Sequence, residues 1–166
     1  MMANKTLDDL FYETLKDIYY AERQIVKALP KMARGAKDEK LKAAFLHHKE
    51  ETEGQIERLK EVFELIGKRA RGKTCPAIDG IIEEGEEILE EFKGSPALDA
   101  GLLAAAQAVE HYEISRYGTL RAWALQLGLN EAARLLEETL AEESKTDETL
   151  TSLAESAVNS AAKKAA

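Results

Sequence analysis

The stretch LAAAQAVEHYEISRYGTLRAWALQL, residues 103–127, decides the fold. Leu103, Ala106, Glu110, Glu113, Tyr117, Leu120, Ala124 and Leu127 recur at a strict 3–4 spacing, the period of one helix face. The stripe is apolar at both ends and acidic in the middle. A glutamate on a buried stripe is costly unless it is paired or binds a metal. The residues that announce a helix therefore also mark a site.

Three more segments have the same profile. The first helix carries Leu15, Ile18, Glu22, Ile25, Val26 and Leu29 on one face. The second carries Leu41, Ala44, Phe45, His48, Glu51–Thr52, Ile56, Leu59 and Phe63, and the last carries Ala132, Leu135, Thr139, Glu142, Thr146, Leu150 and Leu153. The first helix is expected from Thr6 to Arg34, capped by Asn4 or Thr6, loosened at Pro30 and stopped at Gly35. Asp38 caps a second helix that runs to Ile66, with Gly67 as its stop. KRARGKTCPAIDG, residues 68–80, opens as a basic loop. A short third helix follows from Pro76 to Phe92, weakened by Gly80 and Gly85. Ser95 as cap and Pro96 as first helical residue start the fourth helix, which reaches Gln126; Gly128 breaks it and Asn130 caps the fifth.

Tight turns make each long pair an antiparallel hairpin, and the intervening segment is long enough to cross the bundle. The expectation is a single all-α domain over 1–166: hairpin 6–67, crossover 68–95, hairpin 96–160 and a frayed tail 161–166. This is an antiparallel four-helix bundle with a long crossover carrying a short fifth helix, the ferritin-like topology. Shifting the first hairpin by 91 residues places Glu22 on Glu113, Leu29 on Leu120, Ala33 on Ala124, Glu51 on Glu142 and Leu59 on Leu150. An approximate two-fold axis through the core follows.

Glu22 and Glu51 are 29 residues apart, as are Glu113 and Glu142, and each pair straddles its turn evenly. At about 1.5 Å of rise per residue each pair lies at one level, and the four carboxylates converge. Two divalent ions cancel four negative charges, and carboxylate with imidazole suits iron or manganese. His48 and Glu110, each three residues before a glutamate of the set, join it as ligands. Lys145 is placed to form a buried ion pair with Glu142. Tyr19, Tyr20, Tyr112 and Tyr117 flank the centre as packing residues, and His47 and His111 face away. The alternative is a metal-free structural or protein-interaction bundle in which Lys145 and arginines neutralise the acids.

Net charge is −8 and Cys75 is the only cysteine. The acidic balance argues against nucleic acid as a partner, and one cysteine excludes a disulfide or CxxC metal site, leaving Cys75 as an inert loop thiol. No apolar run is long enough to cross a membrane and the N-terminus lacks a signal-peptide pattern, so a cytoplasmic location is expected.

The stretches DIYYAERQIVKALPKM (17–32), HHKEETEGQIERLKEVFELIG (47–67), IIEEGEEI (81–88), AAQAVEHYEISRYGTLRAWA (105–124) and AARLLEETLAEE (132–143) resemble the YciF-like family of ferritin-like proteins. The resemblance spans Leu7 to Leu153. It implies a five-helix ferritin-like fold, homodimeric association, a non-haem di-metal centre and a link to bacterial stress responses. The wider ferritin-like pattern places Glu-x-x-His on two of its helices. Here Gly54 and Lys145 stand three residues after Glu51 and Glu142, so both histidines are missing.

Overall fold

The computed structural model describes residues 4–164. It contains α1 (Leu7–Gly35), α2 (Glu39–Leu65), α3 (Pro76–Glu91), α4 (Leu98–Gln126) and α5 (Asn130–Leu153), which continues through a π-helical turn (Ala154–Val158) into α6 (Asn159–Lys164). The described elements are all helical. Helices α1 and α2 pair as one hairpin and α4 and α5 as the other; the two meet through α2 against α5 and α1 against α4. This is the expected bundle, with α3 in the crossover packed on α1 and α4. No helix among the described residues is long and apolar enough to cross a membrane.

Local chemistry accounts for most of the boundaries. Thr6 caps α1 in a reciprocal box with Asp9. Asp38 caps α2 by accepting from the Leu41 amide at 2.9 Å. Gly67 and Gly128 hold φ of +66° and +73°, the left-handed conformation that ends α2 and α4 cheaply. Helix α1 runs on through Pro30 to Gly35. Two starts differ from expectation. The Ser95 hydroxyl accepts from the Ala97 amide at 3.1 Å, closing a turn ahead of the helix, so α4 begins at Leu98 without a side-chain cap. Asn130 is the first residue of α5 rather than its cap. In the tail, α6 extends to Lys164, and residues 165–166 lie outside the described residues.

Cys75 also departs from the expected loop thiol. It is buried at 1% exposure, its sulfur accepts from the Ile78 amide as the cap of α3, and it lies 3.0 Å from the Tyr112 hydroxyl. The crossover is held closely. The Lys73 amide donates to the Lys16 carbonyl at 3.1 Å, which lays the loop along α1. Small residues then let α3 approach: a Cβ on Gly101 would lie 2.7 Å from Ile88, and one on Gly35 would overlap Leu89.

Asp99, in the first turn of α4, accepts from the amides of Lys37 and Asp38 at 2.8 and 2.7 Å. One carboxylate thus fastens the α1–α2 turn to the start of the second hairpin. Asp99→Ala should cost about 1.5–3 kcal/mol of stability, the range for hydrogen bonds to a charged group. Chemical denaturation measures it, and an unchanged midpoint would show that water replaces the carboxylate without loss.

Candidate metal centre

The middle of the bundle is acidic and buried. Glu22 comes from α1, His48 from α2, Glu110 and Glu113 from successive turns of one α4 face, and Glu143 from α5. Glu22, Glu113 and Glu143 are 0% exposed, Glu110 1% and His48 3%. His48, Glu110, Glu113 and Glu143 each offer a ligand atom within 4.8 Å of the others, a spacing that one metal ion can bridge.

The His48 Nε2 lies 2.7 Å from Glu110 Oε1, 3.8 Å from Glu143 Oε2 and 4.0 Å from Glu113 Oε2. The short contact is off the line of a ring N–H. Both nitrogens of His48 and both oxygens of Glu110, Glu113 and Glu143 are buried without a hydrogen-bond partner. Buried polar atoms are seldom left so, and four such side chains each turning one ligand atom to a common point is an arrangement a cation satisfies. Glu22 differs, because its Oε1 accepts a 2.5 Å hydrogen bond from the buried Tyr117 hydroxyl. Gln55, also 0% exposed, lies beside Glu143 and helps hold its charge.

The electrostatics express the strain of desolvated like charges. Burial pushes Glu22 up to about 7, with the Glu143 charge adding to it and the adjoining Glu113 carboxyl and the Tyr117 hydrogen bond opposing it. Burial raises Glu113 well above the carboxylate range, helped by the charges of Glu143 and Glu22. Burial and the adjoining Glu143 do the same to Glu110. Burial alone pulls His48 down, but Glu110, Glu51 and Glu143 around it reverse this and hold it well above the imidazole range. Glu143 is resisted by burial, yet Glu110 and Glu113 keep its pKa low, so it carries the negative charge of the group.

The other sequence-derived residues sit elsewhere. Glu51 is at the rim, its side chain 21% exposed, 3.6 Å from His48 Nδ1 and accepting from the Thr146 hydroxyl at 3.1 Å. Glu142 is outside the cluster. It is 26% exposed and paired with Arg58 at 2.7 Å, and Arg58 also holds Glu138 and the Thr139 hydroxyl. The buried residues of α5 include the expected Ala132, Leu135, Thr139 and Leu150, with Leu136 and Glu143 beside them; at the centre the expected register is off by one residue, and Glu143 rather than Glu142 faces the cluster. Lys145 is exposed, not buried against Glu142. His47 and His111 are exposed and paired with Glu51 and Asp147. Tyr19 packs edge-on against Phe63, and Tyr20 donates to Asp79 at 2.9 Å.

The signal for Glu143 was present in the 91-residue relation. Adding 91 to the buried positions 41, 45, 48, 52 and 59 gives 132, 136, 139, 143 and 150, all of them buried. Thr52 and Glu143 are therefore the inward pair, and Glu51 and Glu142 stand together one step to the side.

Comparison with known proteins agrees with this architecture. The model of the DUF892 family, a domain of unknown function, matches residues 6–163. The chain is 49% identical to protein YciF of Escherichia coli (strain K12) over 159 residues, 95% of this chain and 96% of that protein. The solved structure of the E. coli stress protein YciF aligns with a TM-score of 0.89 at 49% identity, covering 94% of this chain and 99% of that one. YcfI of Rhodopseudomonas palustris, for which a structural role has been suggested, gives 0.87 at 49% identity over 89% and 94%. A protein of Xanthomonas campestris at 21% identity and TM-score 0.74 shares the fold, covering 95% and 97%. With its family model matched from residue 6 to 163 and half its residues shared with YciF, the chain belongs to the DUF892 family.

Proposed function

We propose that the protein binds one divalent transition-metal ion, iron or manganese, between His48, Glu110, Glu113 and Glu143, and serves in stress protection by handling metal or oxygen species. The observation that carries this is a set of four buried side chains whose ligand atoms, one from each, lie within 4.8 Å of one another, with no hydrogen-bond partner on any of their polar atoms. Three carboxylates and an imidazole form a hard, mixed O/N donor set that suits either metal. The stress context comes from the E. coli relative, which is described as a stress protein.

One ion per chain fits better than two. Under the 91-residue relation Glu110, Glu143 and His48 correspond to Tyr19, Thr52 and Thr139, which contribute little or nothing as ligands. In the corrected register the two Glu-x-x-His positions hold Thr52 with Gln55 and Glu143 with Thr146. Among the described residues Glu22 and the rim residue Glu51 are left to support a second ion, and they are engaged by Tyr117 and Thr146. Titrating chelator-treated protein with manganese(II) or, anaerobically, iron(II) should therefore saturate at one equivalent. Saturation at two would restore the dinuclear expectation; no binding would sink the metal reading.

A metal-free structural bundle has its own support in the 2.7 Å approach of His48 to Glu110, an ion pair when the imidazole is protonated. That alternative requires melting temperature to be indifferent to metal and chelator, because nothing then binds the folded state preferentially.

A further inference from the structure

A second feature adjoins the acidic cluster from outside. Between α1, α3 and α4 lies a narrow cavity walled by Ile25, Leu29, Ile82, Gly85, Ala105 and Val109, with His48 and Glu110 at its inner end. Its walls are almost wholly apolar. Lys31 and Glu86, the exposed residues of its lining, pair across α1 and α3 at 3.3 Å and mark the outer rim. The passage exists because small residues face one another: a Cβ on Gly85 would meet that of Ala105 only at 3.6 Å.

Size and polarity select the occupant. The cavity measures about 30 Å³, and about 10–15 Å³ accommodates one water-sized molecule, so it admits one or two very small molecules and excludes a sugar, nucleotide or lipid chain. Apolar walls offer no hydrogen bonds to an entering polar or charged species, which loses its hydration without compensation. Peroxide and superoxide are disfavoured on that ground, whereas an uncharged diatomic gas is not. The inner end is polar in the one place where chemistry would occur, at two side chains more than nine-tenths buried and without hydrogen-bond partners.

We propose that this cavity is the entry route and resting site for a small apolar gas of the dioxygen class, delivered to the His48–Glu110 side of the metal pocket. The use of the gas rests on the metal reading above; its admission to the cavity does not. Helix α3 is then the outer wall of the route, which gives the crossover a function beyond joining two hairpins.

Xenon, an apolar probe of comparable bulk, tests admission directly in metal-free protein. Crystals pressurised with xenon should show the atom between Gly85, Ala105 and Val109. Ala28→Leu on α1 and Ala105→Leu on α4, each filling the passage from a different side, should remove it. Two variants guard against one of them misfolding, and circular dichroism checks both. In the ferrous-loaded protein, association of nitric oxide as a dioxygen surrogate should slow about tenfold in either variant, while iron affinity stays unchanged. No xenon in the wild-type cavity, or xenon undiminished in both folded variants, overturns the proposal. Xenon that enters and is displaced as expected, in a protein that binds no iron, supports the gas site and removes the metal reading alone.

Discussion

Replacing Glu143 with alanine is expected to lower the affinity for manganese(II) or iron(II) by about 100-fold or more, while Glu142→Ala leaves it unchanged. The two residues are neighbours in sequence and opposite in situation. Glu143 is fully buried with both oxygens unpartnered among the other ligands, whereas Glu142 is tied to Arg58 on the outside of α5. Losing a partner that only orients a metal ligand typically costs about 10–100-fold in affinity, so removal of a ligand should cost at least the upper end. Competition titration against a chromophoric chelator reads the difference. Equal losses in both variants would show that α5 presents its other edge to the ion. No loss in Glu143→Ala would mean that the ion, if bound, sits elsewhere.

The metal-free protein should become less stable as pH rises from about 5 to 8, with metal reversing the trend. Glu22 is held at about 7, above its ordinary 4.5. Between those values the folded state binds more protons than the unfolded chain, so unfolding free energy falls with rising pH. A shift of this size corresponds to roughly 3 kcal/mol, or about 6–12 °C in melting temperature for a chain of this length. Glu110 and Glu113, also raised, act in the same direction. His48 does too: its raised pKa stabilises the fold below the ordinary imidazole value, and that contribution is lost as pH climbs through the folded one. Glu143, whose pKa is lowered, matters only at the acid end, where its contribution disappears. Metal binds the deprotonated ligands, so its benefit grows as the metal-free protein weakens, by about 2.7 kcal/mol at a hundredfold excess over Kd. Melting curves from pH 5 to 8, with chelator and with manganese, check both parts. A metal-free protein most stable at pH 8 would show that the buried acids ionise without cost.

How much was legible in the sequence follows from what each pattern constrains. The 3–4 stripe on α4 could be read directly: Leu103, Ala106, Glu110, Glu113, Tyr117, Leu120 and Ala124 are all buried. Helix α5 admits two solutions. Leu135 and Leu136 are both buried, so the expected stripe through 132, 135, 139, 142, 146 and 150 and one through 132, 136, 139, 143 and 150 share Ala132, Thr139 and Leu150 and similar apolar content. The equal 29-residue spacing then favoured Glu142, and on α2, whose stripe held both Glu51 and Thr52, it favoured Glu51 as the ligand. The symmetry was sound and the register was not. Because the two helices are related by that symmetry, the slip was copied faithfully from one to the other and left no internal contradiction. What could have exposed it was Arg58, whose guanidinium offers Glu142 a partner near the surface. The burial of Cys75 was hidden for another reason: a sulfur capping a helix leaves no periodic trace, and its neighbour Tyr112 comes from a distant turn of α4. The apolar cavity beside His48 was equally hidden, since it arises where Gly85 of α3 faces Ala105 of α4 rather than from any single segment.

The 91-residue correspondence has an evolutionary consequence. Two repeats that share a core geometry but differ in a few inward side chains store a second half-site in latent form. On this backbone Thr52 and Gln55 occupy, within α2, the positions that Glu143 and Thr146 occupy within α5. A lineage could therefore gain or shed ligands on one side of the axis through single-codon steps, without rebuilding helices, turns or crossover. The number of ions such a bundle holds is then a property of a handful of side chains, free to drift while the fold is inherited intact.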